Sequence, residues 1–222
     1  MRKLLIIVIG MIFLFSVSIL SAKANPIIYY PTDDTFVNKK FPNENYDEYY
    51  NELQLSDSST HTRRVYLKFD LSNLSGMTIT SATLHLYVDD IYYEGEDEVK
   101  LYRVTEHDWD EETLTWNNQP KDDLVYITET YISSSGWKTW SGLENLVQGW
   151  VDGDYPNYGI VLECDLDGYG EIGYVYFNDT EKGGDLRPYL EVEAVPIPSA
   201  VFLFGSGLIG FAVIKRKKFR KI

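Results

Sequence analysis

The chain has 222 residues, with 20 Lys and Arg against 34 Asp and Glu, a formal net charge of −14 and eighteen tyrosines. That acidity excludes a role resting on phosphate neutralisation, so nucleic acid is not an expected partner. The single cysteine, Cys164, excludes an intrachain disulfide. From the N-terminus, Arg2 and Lys3 precede an apolar run from Leu4 to Leu20, followed by Ala22-Lys23-Ala24. A basic region, an apolar region and a small-residue site in that order read as a signal peptide over residues 1–24, cut by signal peptidase between Ala24 and Asn25.

Residues 25–194 alternate with a period of two, the mark of half-buried strands. Between Arg64 and Leu71, the residues Val65, Leu67, Phe69 and Leu71 share one face and Tyr66, Lys68 and Asp70 the other. Between Ser81 and Val88 the inward set is Ala82, Leu84, Leu86 and Val88, with Thr83, His85 and Tyr87 outward. The same alternation recurs over 99–104, 159–164, 174–177 and 189–192, with Gly, Asn, Asp and Pro clusters between. Short aromatic or β-branched runs so punctuated predict an antiparallel β-sandwich. One segment departs from it: Leu143, Leu146, Val147 and Trp150 have helical spacing, and Ser141 with Glu144 has the form of a capping box. A short helix is expected there, lying across one end of the sandwich. The acidic stretch 43–51 reads as a loop.

The C-terminal end, 195–222, opens with Val195-Pro196-Ile197-Pro198, continues with fifteen apolar or small residues over 200–214 and closes on a basic cluster. That stretch is short of the roughly 20 residues of a comfortable membrane span, and the basic cluster marks the cytoplasmic side. The two ends hold nine of the twenty Lys and Arg and none of the acids, so the body between them carries 11 positive against 34 negative residues, a net −23. The tail resembles the PEP-CTERM sorting signal of Gram-negative bacteria in its Val-Pro-x-Pro variant. The resemblance implies recognition by an exosortase-type membrane protease, a cut near Pro196 to Ser199, a transient inner-membrane anchor and a final place at the cell surface or outside the cell. An uncut tail anchor is the alternative.

Seven segments of the body, in order, resemble the DNRLRE domain, also classed as carbohydrate-binding module family 96. They are Asp34-Thr35-Phe36-Val37, then 62–71, 81–86, the Trp-rich 109–117, 146–150, 157–162, and Arg187-Pro188-Tyr189-Leu190-Glu191-Val192. The resemblance implies an all-β, jelly-roll-like antiparallel sandwich without catalytic activity, used as an accessory module on secreted proteins, some acting on polysaccharides.

His61, His85 and His107 show neither metal-ligand spacing nor a nucleophile and base arrangement, and Cys164 shares a strand face with Ile160 and Leu162, which places it in the core. Close carboxylates such as Asp108, Asp110, Glu111 and Glu112 occur by chance among 34 acids, so they do not mark a glycosidase. Calcium, which takes roughly six to eight oxygens, is the better use for acids, at Asp33-Asp34 and at Asp165-Leu166-Asp167-Gly168, with Asp152-Gly153-Asp154 third. Sugar binding calls for an exposed aromatic face. Tyr66 and Tyr87, with Lys68 and His85, form such a stripe if their strands pair, while Trp109 and Trp116 are expected to be buried and Trp137 and Trp140 to pack the core edge. The reading is an exported, non-enzymatic module binding extracellular polysaccharide, with a structural matrix protein as the alternative and a hydrolase or lyase as a remote one.

Overall fold

A computed structural model describes residues 25–47, 52–58, 61–92, 95–164, 173–181 and 184–196. Eleven strands form among them: β1 (Ile27–Tyr29), β2 (Asp33–Asn38), β3 (Glu52–Leu55), β4 (Arg63–Lys68), β5 (Met77–Ile91), β6 (Asp97–Arg103), β7 (Val125–Ile132), β8 (Gly136–Trp140), β9 (Ile160–Cys164), β10 (Val175–Asn178) and β11 (Tyr189–Pro196). One helix, α1 (Glu144–Asp152), separates β8 from β9. All strand pairings are antiparallel. One sheet joins β1, β11, β5, β10 and β3, with β8 added to β5; the other runs β2-β4-β9-β6-β7. The two face each other over one apolar core that includes Phe36, Leu55, Leu67, Leu84, Leu86, Leu101, Trp140, Leu162 and Phe177, each at most 2% exposed. The expected sandwich with one short helix is therefore the fold, and Cys164 lies in that core.

Strand parity decides the core in the first sheet. In β5, Ala82, Leu84, Leu86 and Val88 are buried while Thr83, His85 and Tyr87 between them are half-buried on the outer face. In the second sheet parity fails: Val65, Tyr66 and Leu67 are all fully buried, as are Val161 and Leu162. The segment between β6 and β7 folds over the outer face of β4 and β9, where Val37, Tyr66, Val104, Trp109, Leu114 and Val161 form a second apolar cluster. A strand covered on both faces reads as a continuous apolar run. Polar contacts pin this covering segment. Trp109 Nε1 donates to Tyr158 O at 2.8 Å, and Asn45 Nδ2 donates to Glu111 O and Leu114 O. Trp109 is buried as expected; Trp116 is half-buried and takes the Arg64 guanidinium over its ring at 5.2 Å.

Helix α1 buries Leu146, Val147 and Trp150 against the core, preceded by buried Leu143. The capping box expected of Ser141 and Glu144 does not form: the residue before the helix is Leu143, with no side-chain cap. Burial of Leu143 and its N–H on Ala82 O at 3.1 Å fix the start instead. Gly153, at φ 74°, ends the helix with its N–H on Gly149 O and Trp150 O. Gln148 hydrogen-bonds the N–H of Ile79 and the carbonyl of Met77, which finishes the edge of β5 that β8 leaves open.

Asp33 and Asp34, expected together on calcium, point apart, because successive strand residues face opposite sides. Asp33 pairs with Lys68 at 3.5 Å. Asp34 is buried, and its Oδ2 accepts the N–H and Oγ1–H of Thr180, both at 3.0 Å. Its own N–H donates to Glu111 Oε2 at 2.8 Å. Burial, aided by the charge of Glu181, pushes the Asp34 carboxyl up to about 8, and burial likewise pushes Glu111 up to about 7. Among the described residues no three His, Cys, Asp or Glu side chains converge on a metal position. Asp165 and Asp167 lie outside the described residues. So do Ala24, Pro198 and the apolar stretch 200–214; Asn25 is the first described residue, and Val195 and Pro196 pair with Thr78 and Met77 as the end of β11, two residues past the expected boundary.

Two expected outcomes follow from this packing. Gly159 stands at φ 78°, where a Cβ would meet Leu67 O at 2.3 Å; Gly159→Ala should cost about 2–5 kcal/mol in urea unfolding, from clash and left-handed strain combined. Asp34 holds its proton to about pH 8 when folded but ionises near 3.8 when unfolded, so its contribution is fully present below about pH 4 and lost as pH rises to about 8. Asp34→Asn keeps an oxygen for Thr180 and should flatten the fall of melting temperature between pH 4 and 8; an unchanged slope would show that Asp34 is not its source.

Candidate functional site

The outer face of the first sheet carries a row of aromatic rings set by register. β5 is flanked on both edges: Leu84 pairs with Leu190 of β11 and with Trp140 of β8. Because directly paired residues point to the same face, the pairs Tyr189↔His85 and Trp137↔Tyr87 put four rings side by side. His85 and Tyr189 stack with centroids 4.3 Å apart and planes 9° from parallel. Trp137 meets Tyr189 at 5.3 Å and Tyr87 at 5.5 Å, both edge to face. Continuing the register of Tyr29↔Leu190 brings Tyr30 beside Tyr189, and the Arg187 guanidinium lies 4.1 Å over the Tyr30 ring. Tyr30 and Trp137 are 46% and 39% exposed, so the row is open to solvent at both ends.

The centre of the row is uncharged at neutral pH. Burial lowers the His85 imidazole below its ordinary 6.5, and the nearby Glu191 carboxylate only partly opposes this. The His85 Nε2 is buried without a hydrogen-bond partner. Burial raises the Tyr189 phenol above its ordinary range, so it stays protonated as a donor. Neutral rings packed on one another over a rigid sheet, with Glu191 and Arg187 alongside, form an apolar row with hydrogen-bonding groups at its edge.

The stripe expected of Tyr66, Lys68, His85 and Tyr87 is split by the fold. β4 and β5 belong to opposite sheets, so only His85 and Tyr87 lie in the row. Tyr66 does point to the outer face of β4, but the 104–120 segment covers it completely, and its hydroxyl bonds Gln119 Oε1 and Pro120 O at 3.1 Å. Lys68 clamps the same segment: its Nζ pairs with Asp33 and Asp108, donates to Trp109 O and sits 4.9 Å over the Trp109 ring. Neither is available to a ligand. Trp137, expected at the core edge, is on the surface instead, and the spacing to Trp140 carries the reason. Three residues apart in a strand they face opposite sides, and Trp140 takes the core at 0% exposure. Tyr189 and Tyr30 join the row only through pairings between segments far apart in sequence.

Comparison with known proteins adds the family. The tRNA nuclease WapA of Bacillus subtilis (strain 168) is 26% identical over 173 residues, covering 72% of this chain and 7% of that protein. The tRNA3(Ser)-specific nuclease WapA of Bacillus spizizenii matches to the same extent. The chain thus spans only a small part of the length of the curated relatives it matches. The model of carbohydrate-binding module family 96 matches residues 25–194. Since that match takes in both sheets, the row on the outer face included, the chain belongs to carbohydrate-binding module family 96.

Proposed function

We propose that this protein is an exported, non-catalytic module that holds a neutral extracellular polysaccharide across the row Tyr30, Tyr189, His85, Tyr87 and Trp137. The observation that carries the reading is the alignment of those rings on neighbouring strands, which lie about 4.8 Å apart. Sugar rings present flat C–H faces that stack on aromatic rings, while hydroxyls at their edges seek polar partners such as Glu191 and Arg187. An open row admits a chain passing through, where a closed pocket would admit an end. The body's net charge of −23 opposes polyanions, so a neutral glycan, or an anionic one bridged by calcium, is the proposed partner.

The nuclease activity named for the WapA proteins is not part of this proposal, because the matching segment is 7% of their length. Export rests on the composition of 1–24 and of 195–222: signal peptidase, then an exosortase-type protease, act during passage through a Gram-negative envelope, with a transient hold on the inner membrane. Calcium enters as a stabiliser on the spacing of Asp165 and Asp167. Asp33 and Asp34 are withdrawn from that role by their contacts with Lys68 and Thr180.

Affinity electrophoresis through gels containing neutral polysaccharides, with and without Ca²⁺, should show retarded migration. Trp137→Ala and Tyr189→Ala should each weaken it about tenfold, the equivalent of about 1.4 kcal/mol, while Tyr66→Phe leaves it intact. No retention on any glycan in either condition would sink the reading and leave the structural spacer; release of reducing ends would put a hydrolase in its place. Separately, the melting temperature should rise with added Ca²⁺ and fall with chelator, and no response to either removes calcium from the proposal.

A further inference from the structure

We propose that the domain has a second glycan site, a pocket between the β4–β5 connection and helix α1 that takes a single neutral sugar ring, such as the end of a chain. The cavity measures about 310 Å³, at the lower bound of the roughly 300–1,000 Å³ of small-molecule pockets. That gives room for one pyranose and not for a threaded chain. It shares no residue with the aromatic row, so the two sites stand or fall independently.

The lining combines what a sugar needs. Phe69, Leu71 and Trp150, each at least nine-tenths buried, form the floor of the pocket, and Asp70, Ser75 and Asn157 supply polar groups at its walls. Trp150 is nine-tenths buried, and its Nε1 is buried with no acceptor, a state that costs about 1–3 kcal/mol for a hydrogen-bonding group. The walls are preformed. Asn157 Nδ2 donates to Phe69 O at 2.8 Å, and its Oδ1 accepts the N–H of Gly159 at 3.1 Å. Asp70 Oδ1 accepts the N–H of Ser72 at 2.9 Å, which holds the carboxyl below its ordinary range and keeps it an ionised acceptor for sugar hydroxyls. None of the described lining residues is cationic, so the pocket selects a neutral sugar over a uronate.

Ligand-detected NMR titration of the protein with the methyl glycosides of glucose, galactose and mannose, and with glucuronate, tests this. Saturable binding of at least one neutral glycoside is expected, weakened at least tenfold by Asp70→Asn, abolished by Ser75→Trp, which fills the cavity, and unchanged by Trp137→Ala. Melting curves report whether Ser75→Trp still folds; if it does not, Asp70→Asn decides. The proposal is overturned if no neutral glycoside saturates, if glucuronate binds as well as they do, or if Asp70→Asn leaves binding untouched. Loss of glycoside binding in Trp137→Ala would likewise overturn it, by moving the ligand to the row.

Discussion

The pairing of β5 on both of its edges is the constraint from which the functional surface follows. Four inward side chains, Ala82, Leu84, Leu86 and Val88, fix which way the strand faces. A slip of one residue would turn them all to solvent. With the facing fixed, His85 and Tyr87 have no choice but to point outward, and the register with β11 and β8 brings Tyr189 and Trp137 to them. The aromatic row is thus a by-product of core packing. Its geometry is as rigid as the core beneath it, and rigid aromatic surfaces give up little conformational entropy when a ligand arrives.

The second sheet solves a different problem. Its central strands lie between the core and the 104–120 segment, and the residues that hold that cover are the ones with binding chemistry. Tyr66 spends its hydroxyl on Gln119 and Pro120, and Lys68 spends its charge on Asp33 and Asp108. Lys68 and Arg64 also cap the faces of Trp109 and Trp116, and Arg103 lies 4.0 Å over Tyr155. In a body so poor in cations, these contacts direct positive charge into packing within the fold. The two sheets thus divide their labour, one covered and one open.

The acidic end of the domain shows the energetic side of this composition. Asp34 and Glu111 sit where burial and neighbouring acids disfavour ionisation. Hydrogen bonds from Thr180 and from the Asp34 N–H offset part of that cost. Their role is to tie β2 to the turn after β10 and to the covering segment, so Asp34, which reads as a metal ligand in the sequence, serves with Glu111 as a joint between distant stretches of chain.

By itself the sequence determined the class of fold, the position of most strands, the helix face and the burial of Cys164, because alternation and helical spacing are local properties of an apolar pattern. It also determined that His85 and Tyr87 point away from the core. Only the tertiary structure decided which outward residues stay exposed and which meet each other. Tyr66 and Tyr87 have the same parity in neighbouring strands of the chain, yet one is sealed under the 104–120 segment, whose Gln119 lies 53 residues further on, while the other meets Trp137 across a sheet edge. Start signals yielded in the same way: Ser141 had the local form of a cap, but the burial of Leu143 set where α1 begins. Pairing partners and covering loops are fixed by burial summed over the whole domain, and no window of the sequence contains that sum.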